Sequence, residues 1–150
     1  MKKKFLFVSV LLLLCAAVVS AQSADALTKM IEAEQATVGD AGYFLAVYLG
    51  DVPETSTVSA AVSALQNKGV IAEEAAADDV LTYKTFAGML MKTWNVKGGL
   101  MYTITGADRY ALRDLQAKGF IPASTDPYDV VSGYQALAIL NDCMTKLGGN

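Results

Sequence analysis

Leu65-Gln66-Asn67-Lys68-Gly69-Val70-Ile71 and Leu115-Gln116-Ala117-Lys118-Gly119-Phe120-Ile121 are two versions of one heptapeptide, fifty residues apart. Each reads as the end of a helix. Gly tolerates the left-handed conformation that a helix terminus demands. The Lys before it sits in the last turn, where a cation meets the negative end of the helix dipole. The apolar residue after it is placed for the hydrophobic contact that accompanies such a stop. Upstream, Val58, Ala61, Val62 and Leu65 recur at helical spacing, as do Ala111, Leu112 and Leu115. Downstream, Asp79-Val80 meets Asp129-Val130 and Leu90 meets Leu140, with no gap between positions 61 and 90 of the first copy. The likeness therefore covers a helix, a loop and a second helix, and such internal similarity decides an architecture.

The second helices carry their own start signals. Thr82 reads as an N-cap for a helix with Phe86, Met89, Leu90 and Trp94 on one face. Ser132 with Gln135 makes a capping box, followed by Ala136, Leu137, Ile139, Leu140, Cys143, Met144 and Leu147. Thr105 reads as a cap for the first helix of the later copy, with Asp108 in the acid position. A third, shorter copy precedes these: Ala26, Leu27, Met30 and Ile31 have helical spacing, Thr37 and Asp40 form a capping pattern, and Phe44, Leu45 and Tyr48 continue on one face. The connectors are residues 49–55 and 96–104, and residues 100–104 are apolar enough for a short extended piece. One hairpin of this size cannot bury its apolar face alone. The expectation is an all-α fold of tandem helical hairpins packed as a compact pseudo-repeat bundle, with units near 24–50, 57–95 and 105–147.

Residues 1–21 read as a signal peptide ahead of a helical domain at 22–150. Lys2, Lys3 and Lys4 precede an apolar run at 5–19, and Val19-Ser20-Ala21 supplies small residues for cleavage before Gln22. Cys15 lies within that run and permits an alternative, a lipid anchor on its thiol. Cleavage at Gln22 leaves nine basic residues against 15 acidic ones, a net charge of −6. An acidic chain without basic clusters is a poor partner for nucleic acid. With 53% hydrophobic residues the chain is not of the disordered class. It has no His, which removes Ser-His-Asp and Cys-His catalysis and His-based metal sites.

The two heptapeptides resemble the first half of the S-layer homology motif, a helix ending in Leu-x-x-x-Gly-(Ile/Val)-Ile. That family continues through a loop into a helix opening with Thr-Arg-Ala-Glu. Thr82-Tyr83-Lys84-Thr85-Phe86 and Ser132-Gly133-Tyr134-Gln135-Ala136 keep the cap and the apolar face of that opening but not its Arg and Glu. The resemblance implies three units in a pseudo-threefold bundle and an envelope-associated module that binds wall polysaccharide.

Few residues point to chemistry. Trp94 with Tyr102 can stack on a sugar ring, but Trp94 also falls on the apolar face of its helix with Phe86 and Leu90, and core packing is the favoured reading. Arg109 and Arg113, one turn apart, can grip a carboxylate or pyruvyl group through forked guanidinium geometry, but pairing with Asp108, Asp114 or solvent at the surface is the favoured reading. Glu73, Glu74, Asp78 and Asp79 form an acidic loop with carboxylates suited to calcium but no EF-hand spacing, so a solvated loop is the simpler reading. Cys143 lies on the inward face and reads as a buried, inert thiol. No catalytic residue, cofactor or metal is expected. The favoured function is an exported, non-catalytic cell-envelope module, periplasmic or wall-associated, whose partner is a wall polymer or another envelope protein. The alternatives are a small secreted hydrolase using two carboxylates and a lipoprotein anchored through Cys15.

Overall fold

The computed structural model describes residues 24–148; the signal peptide expected at residues 1–21, and Cys15 within it, lie outside them. The described chain is all-α. Helix α1 covers residues 24–32. It is followed by α2 (Val38–Tyr48), α3 (Val58–Asn67), α4 (Tyr83–Thr93), α5 (Leu100–Thr105), α6 (Asp108–Ala117) and α7 (Gly133–Leu147). Among the described residues no helix is long and apolar enough to cross a membrane.

Local chemistry explains most boundaries. Thr37 and Asp40 close a reciprocal box at the start of α2: the Asp40 N–H donates to Thr37 Oγ1 at 3.0 Å, and the Thr37 N–H to the Asp40 carboxylate at 3.1 Å. Ser132 and Gln135 repeat it at α7, and Thr82 caps α4 through the Thr85 N–H. Gly69 and Gly119 end α3 and α6 at φ 71° and 79°.

The start of α6 departs from the expectation. Its N-cap is Ala107, without a side-chain cap bond, and Asp108 is its first residue. Residues 100–104 are helical rather than extended. Because α5 runs through Thr105 and closes at Gly106, the Thr105 hydroxyl serves that helix instead, donating to the Met101 carbonyl at 2.7 Å.

The tightest helix pairs are α2 with α3 and α4 with α6. Each joins the second helix of one unit to the first helix of the next. At the far end of the chain, α7 meets the close of α1. A Cβ on Gly133 would lie 1.6 Å from the Met30 carbonyl oxygen, so only glycine permits this approach.

Three backbone hydrogen bonds close the arrangement into a ring. The Leu81 N–H donates to the Ala36 carbonyl at 2.8 Å, the Val131 N–H to Leu81 at 2.9 Å, and the Ala36 N–H to Val131 at 2.8 Å. All three residues are fully buried, and each directly precedes the N-cap of α2, α4 or α7. The first residues of those helices are paired as well. Val38 donates to Asp79, Tyr83 to Asp129 and Gly133 to Ala33, at 2.9–3.1 Å. Helix N-termini leave N–H groups without intrahelical partners. Here neighbouring loops supply the missing acceptors.

Beneath the ring lies the apolar core, with Phe86, Leu45, Leu65, Leu81, Leu90, Leu112, Leu115 and Leu140 among its fully buried side chains. It contains no buried charged residue among those described.

Candidate functional site

The N-terminal ends of α2, α4 and α7 are sealed by the ring. Their C-terminal ends are not. Leu49, Trp94 and Gly148 cap the three helices, and around them opens a cavity of about 520 Å³. Tyr48, Trp94, Asn95, Val96, Lys97 and Leu147 line it. The Tyr48 and Trp94 rings stand 5.6 Å apart at 42°. A Cβ on Gly148 would meet the Tyr48 hydroxyl at 2.2 Å, so the ends of α2 and α7 touch there. Asn95 takes a positive φ of 46°, which turns the chain out of α4 and lets the Val96 N–H reach back to the Met91 carbonyl at 3.0 Å. Two of the lining residues keep a polar atom buried, Trp94 Nε1 and Thr93 Oγ1, without a hydrogen-bond partner among the described residues.

A second, smaller cavity of about 210 Å³ lies where α5 meets α6. Tyr102, Tyr110, Arg113 and Asp114 line it with Gly99. The Asp114 carboxylate accepts the Gly99 N–H at 2.7 Å, which docks the start of α5. Burial pushes the Tyr102 phenol above its ordinary range, and the charges of Asp108 and Asp114 add to the rise. Burial likewise raises the Asp108 carboxyl, against the pull of Lys92 and Lys84. A third cavity, about 330 Å³, lies between Ala26, Tyr43 and residues 54–58, where the Tyr43 hydroxyl donates to the Glu54 carbonyl at 2.6 Å.

The residues singled out from sequence are therefore divided. Tyr102 and Arg113 meet in one cavity. Trp94 lines another, with Tyr48 rather than Tyr102 beside it. Arg109 is exposed and lies over the Tyr110 ring, 5.4 Å from its centre. Neither arginine forms an ion pair among the described residues, because Asp108 faces Lys92 and Asp114 is engaged by Gly99. Cys143 is fully buried, and burial pushes its thiol up to about 12. The acidic loop stays at the surface, where the Asp79 carboxylate closes a turn by accepting the Ala76 N–H at 2.8 Å. No cluster of three or more potential metal ligands forms among the described residues.

Tyr48, Thr93 and Asn95 were not legible as site residues. Tyr48 looked like one more position on an apolar face. The available signal was that Tyr48 and Trp94 both fall at the ends of equivalent helices. A scan against protein-family models and a search of curated proteins find no match to this chain.

Proposed function

We propose that this chain is an exported, non-catalytic module of the cell envelope that docks onto a wall polymer. The observation that carries this reading is the ring of Ala36, Leu81 and Val131. It binds three helical units into one body and leaves the opposite helix ends open around an aromatic-edged cavity. The open clefts of mixed polar and apolar lining suit the binding of a ligand at the surface. A two-carboxylate hydrolase needs two acids facing one cleft. Glu54 and Asp114, the acids lining the described cavities, belong to different ones.

Sedimentation with purified cell wall tests the reading. The chain beginning at Gln22 is expected in the pellet. Complete recovery in the supernatant overturns wall binding and leaves an envelope protein as the partner to pursue. Mass spectrometry of the exported protein separates the two forms of export: a start at Gln22 marks simple cleavage, and a lipidated Cys15 marks an anchored form.

A further inference from the structure

We infer that α5 and the arginines beside it form a docking face for an anionic lipid surface. This goes beyond the wall-polymer reading and does not depend on it.

The segment is one the bundle does not require. The connector between the first two units, residues 49–57, forms no helix, while the next connector carries α5 between Gly99 and Gly106. No residue of α5 is fully buried. Tyr102 is half-buried in the cavity against α6, and the Asp114 carboxylate holds the Gly99 N–H at 2.7 Å. The outward face is apolar: Leu100 is 74% exposed, Ile104 69% and Met101 49%. With about 100° of turn per residue, these three fall within one arc of about 100°, roughly opposite Tyr102. They therefore project together. Grouped apolar exposure of this kind marks a contact surface.

Charge says what that surface meets. The acidity of the whole chain hides an asymmetry. Residues 84–113 carry five cations and one carboxylate, Asp108, whereas the remainder beyond residue 21 carries four cations and 14 carboxylates. Both arginines of the chain lie beside α5. Arg113 lines one cavity with Leu100, Met101 and Tyr110, and Arg109 lies over the Tyr110 ring. Lys97 stands just ahead of α5. All three cations are exposed and form no ion pair among the described residues. The neighbouring carboxylates are engaged elsewhere, Asp108 by Lys92 and Asp114 by Gly99. An apolar face edged by cations suits an interfacial lipid contact: the apolar side chains enter the acyl boundary while guanidinium and ammonium groups meet phosphates. A protein partner fits less well. Three side chains expose far less than the roughly 800 Å² that each side of a stable protein interface buries.

Vesicle flotation of the chain beginning at Gln22 tests the inference, with phosphatidylcholine alone and with phosphatidylcholine mixed equally with phosphatidylglycerol. Binding roughly tenfold tighter, or more, is expected on the mixed vesicles, weakening as salt is raised. Arg109→Gln with Arg113→Gln should weaken it roughly tenfold, and Leu100→Gln with Ile104→Gln by a similar factor. Lys29→Gln, a charge change on α1, should stay within about threefold of the parent chain. All five positions are exposed, so the melting transitions should match. In a second readout, Leu100→Cys bearing an environment-sensitive dye should shift to the blue on mixed vesicles, and Ala72→Cys bearing the same dye should not.

Binding to neither vesicle overturns the inference, whatever the cell-wall sedimentation shows. Equal binding to both overturns the charge argument and the lipid assignment with it. Binding that survives both paired substitutions, or leaves the dye at position 100 unshifted, puts the contact elsewhere and overturns this face. A chain that ignores vesicles but forms a dimer abolished by Leu100→Gln with Ile104→Gln assigns the face to a second copy instead. Vesicle binding without wall binding overturns the wall-polymer reading alone.

Discussion

Gln66 and Gln116 share their two amide hydrogens among the same three carbonyl positions in two different loops. Gln66 Nε2 donates to the carbonyls of Ala72, Glu73 and Ala75 at 3.0–3.2 Å. Gln116 Nε2 donates to those of Pro122, Ala123 and Thr125 at 3.0–3.5 Å. One amide at the end of a helix thus holds the loop that follows, although the loops share little composition.

The amide clamp is open to substitution. Gln66→Ala and Gln116→Ala are each expected to cost about 1 kcal/mol, a typical net value for lost hydrogen bonds. Gln→Glu at either site should cost more, because a carboxylate donates nothing and faces a cluster of carbonyl oxygens. Urea unfolding of the four variants checks this; a Glu variant as stable as the parent chain would refute it.

Two glycines separate space from backbone strain. Gly133→Ala drives a methyl into the Met30 carbonyl, 1.6 Å from its Cβ. The backbone has to move, so a loss of about 3 kcal/mol, the upper range for overpacking, is expected. Gly119→Ala enters open space but at φ +79°, and only the left-handed conformation opposes it, at about 1 kcal/mol. Thermal melting of both variants should rank them in that order.

The ring of backbone bonds predicts a pattern in hydrogen exchange. The N–H groups of Ala36, Leu81 and Val131 are all buried and bonded to one another. Their exchange should require opening of the whole bundle and be among the slowest in the chain. The exposed ends of α5, where Leu100 and Ile104 project outward, should exchange orders of magnitude faster. Fast exchange at any one of the three ring amides would contradict the closed arrangement.

Alkaline pH should destabilise the fold. The Cys143 thiol is raised from 9.0 to about 12, first by burial and then by Asp142. Between those values the folded chain keeps a proton that the unfolded chain has lost, so stability is full below about pH 9 and falls as pH rises toward 12. The raised phenols of Tyr43, Tyr83 and Tyr102 act in the same direction. Cys143→Ala should flatten the decline between pH 9 and 12 in denaturation curves. At pH 8 the native thiol should resist a thiol reagent that labels it promptly in urea.

Signals confined to a few neighbouring residues were readable in advance. Thr37 with Asp40, Thr82, and Ser132 with Gln135 cap helices because capping is an interaction over three residues. Gly69 and Gly119 mark helix ends for the same local reason. Thr105 misled because the six-residue α5 between Gly99 and Gly106 has no fully buried residue, and the half-buried Tyr102 alone makes no periodic pattern. The ring is backbone chemistry among Ala36, Leu81 and Val131, and no side-chain code announces it. The cavity depends on where α2, α4 and α7 finish relative to one another. Trp94 was therefore visible as a candidate, while its neighbour Tyr48 was not.

Mutual donation among Ala36, Leu81 and Val131 also imposes a head count. Three members satisfy one another with nothing left over. A chain shortened by one member keeps a solitary giver at one extremity and a solitary receiver at the other. Such extremities are complementary between copies, head to tail, the kind of contact that either closes or runs on. The complete set of three offers no such extremity.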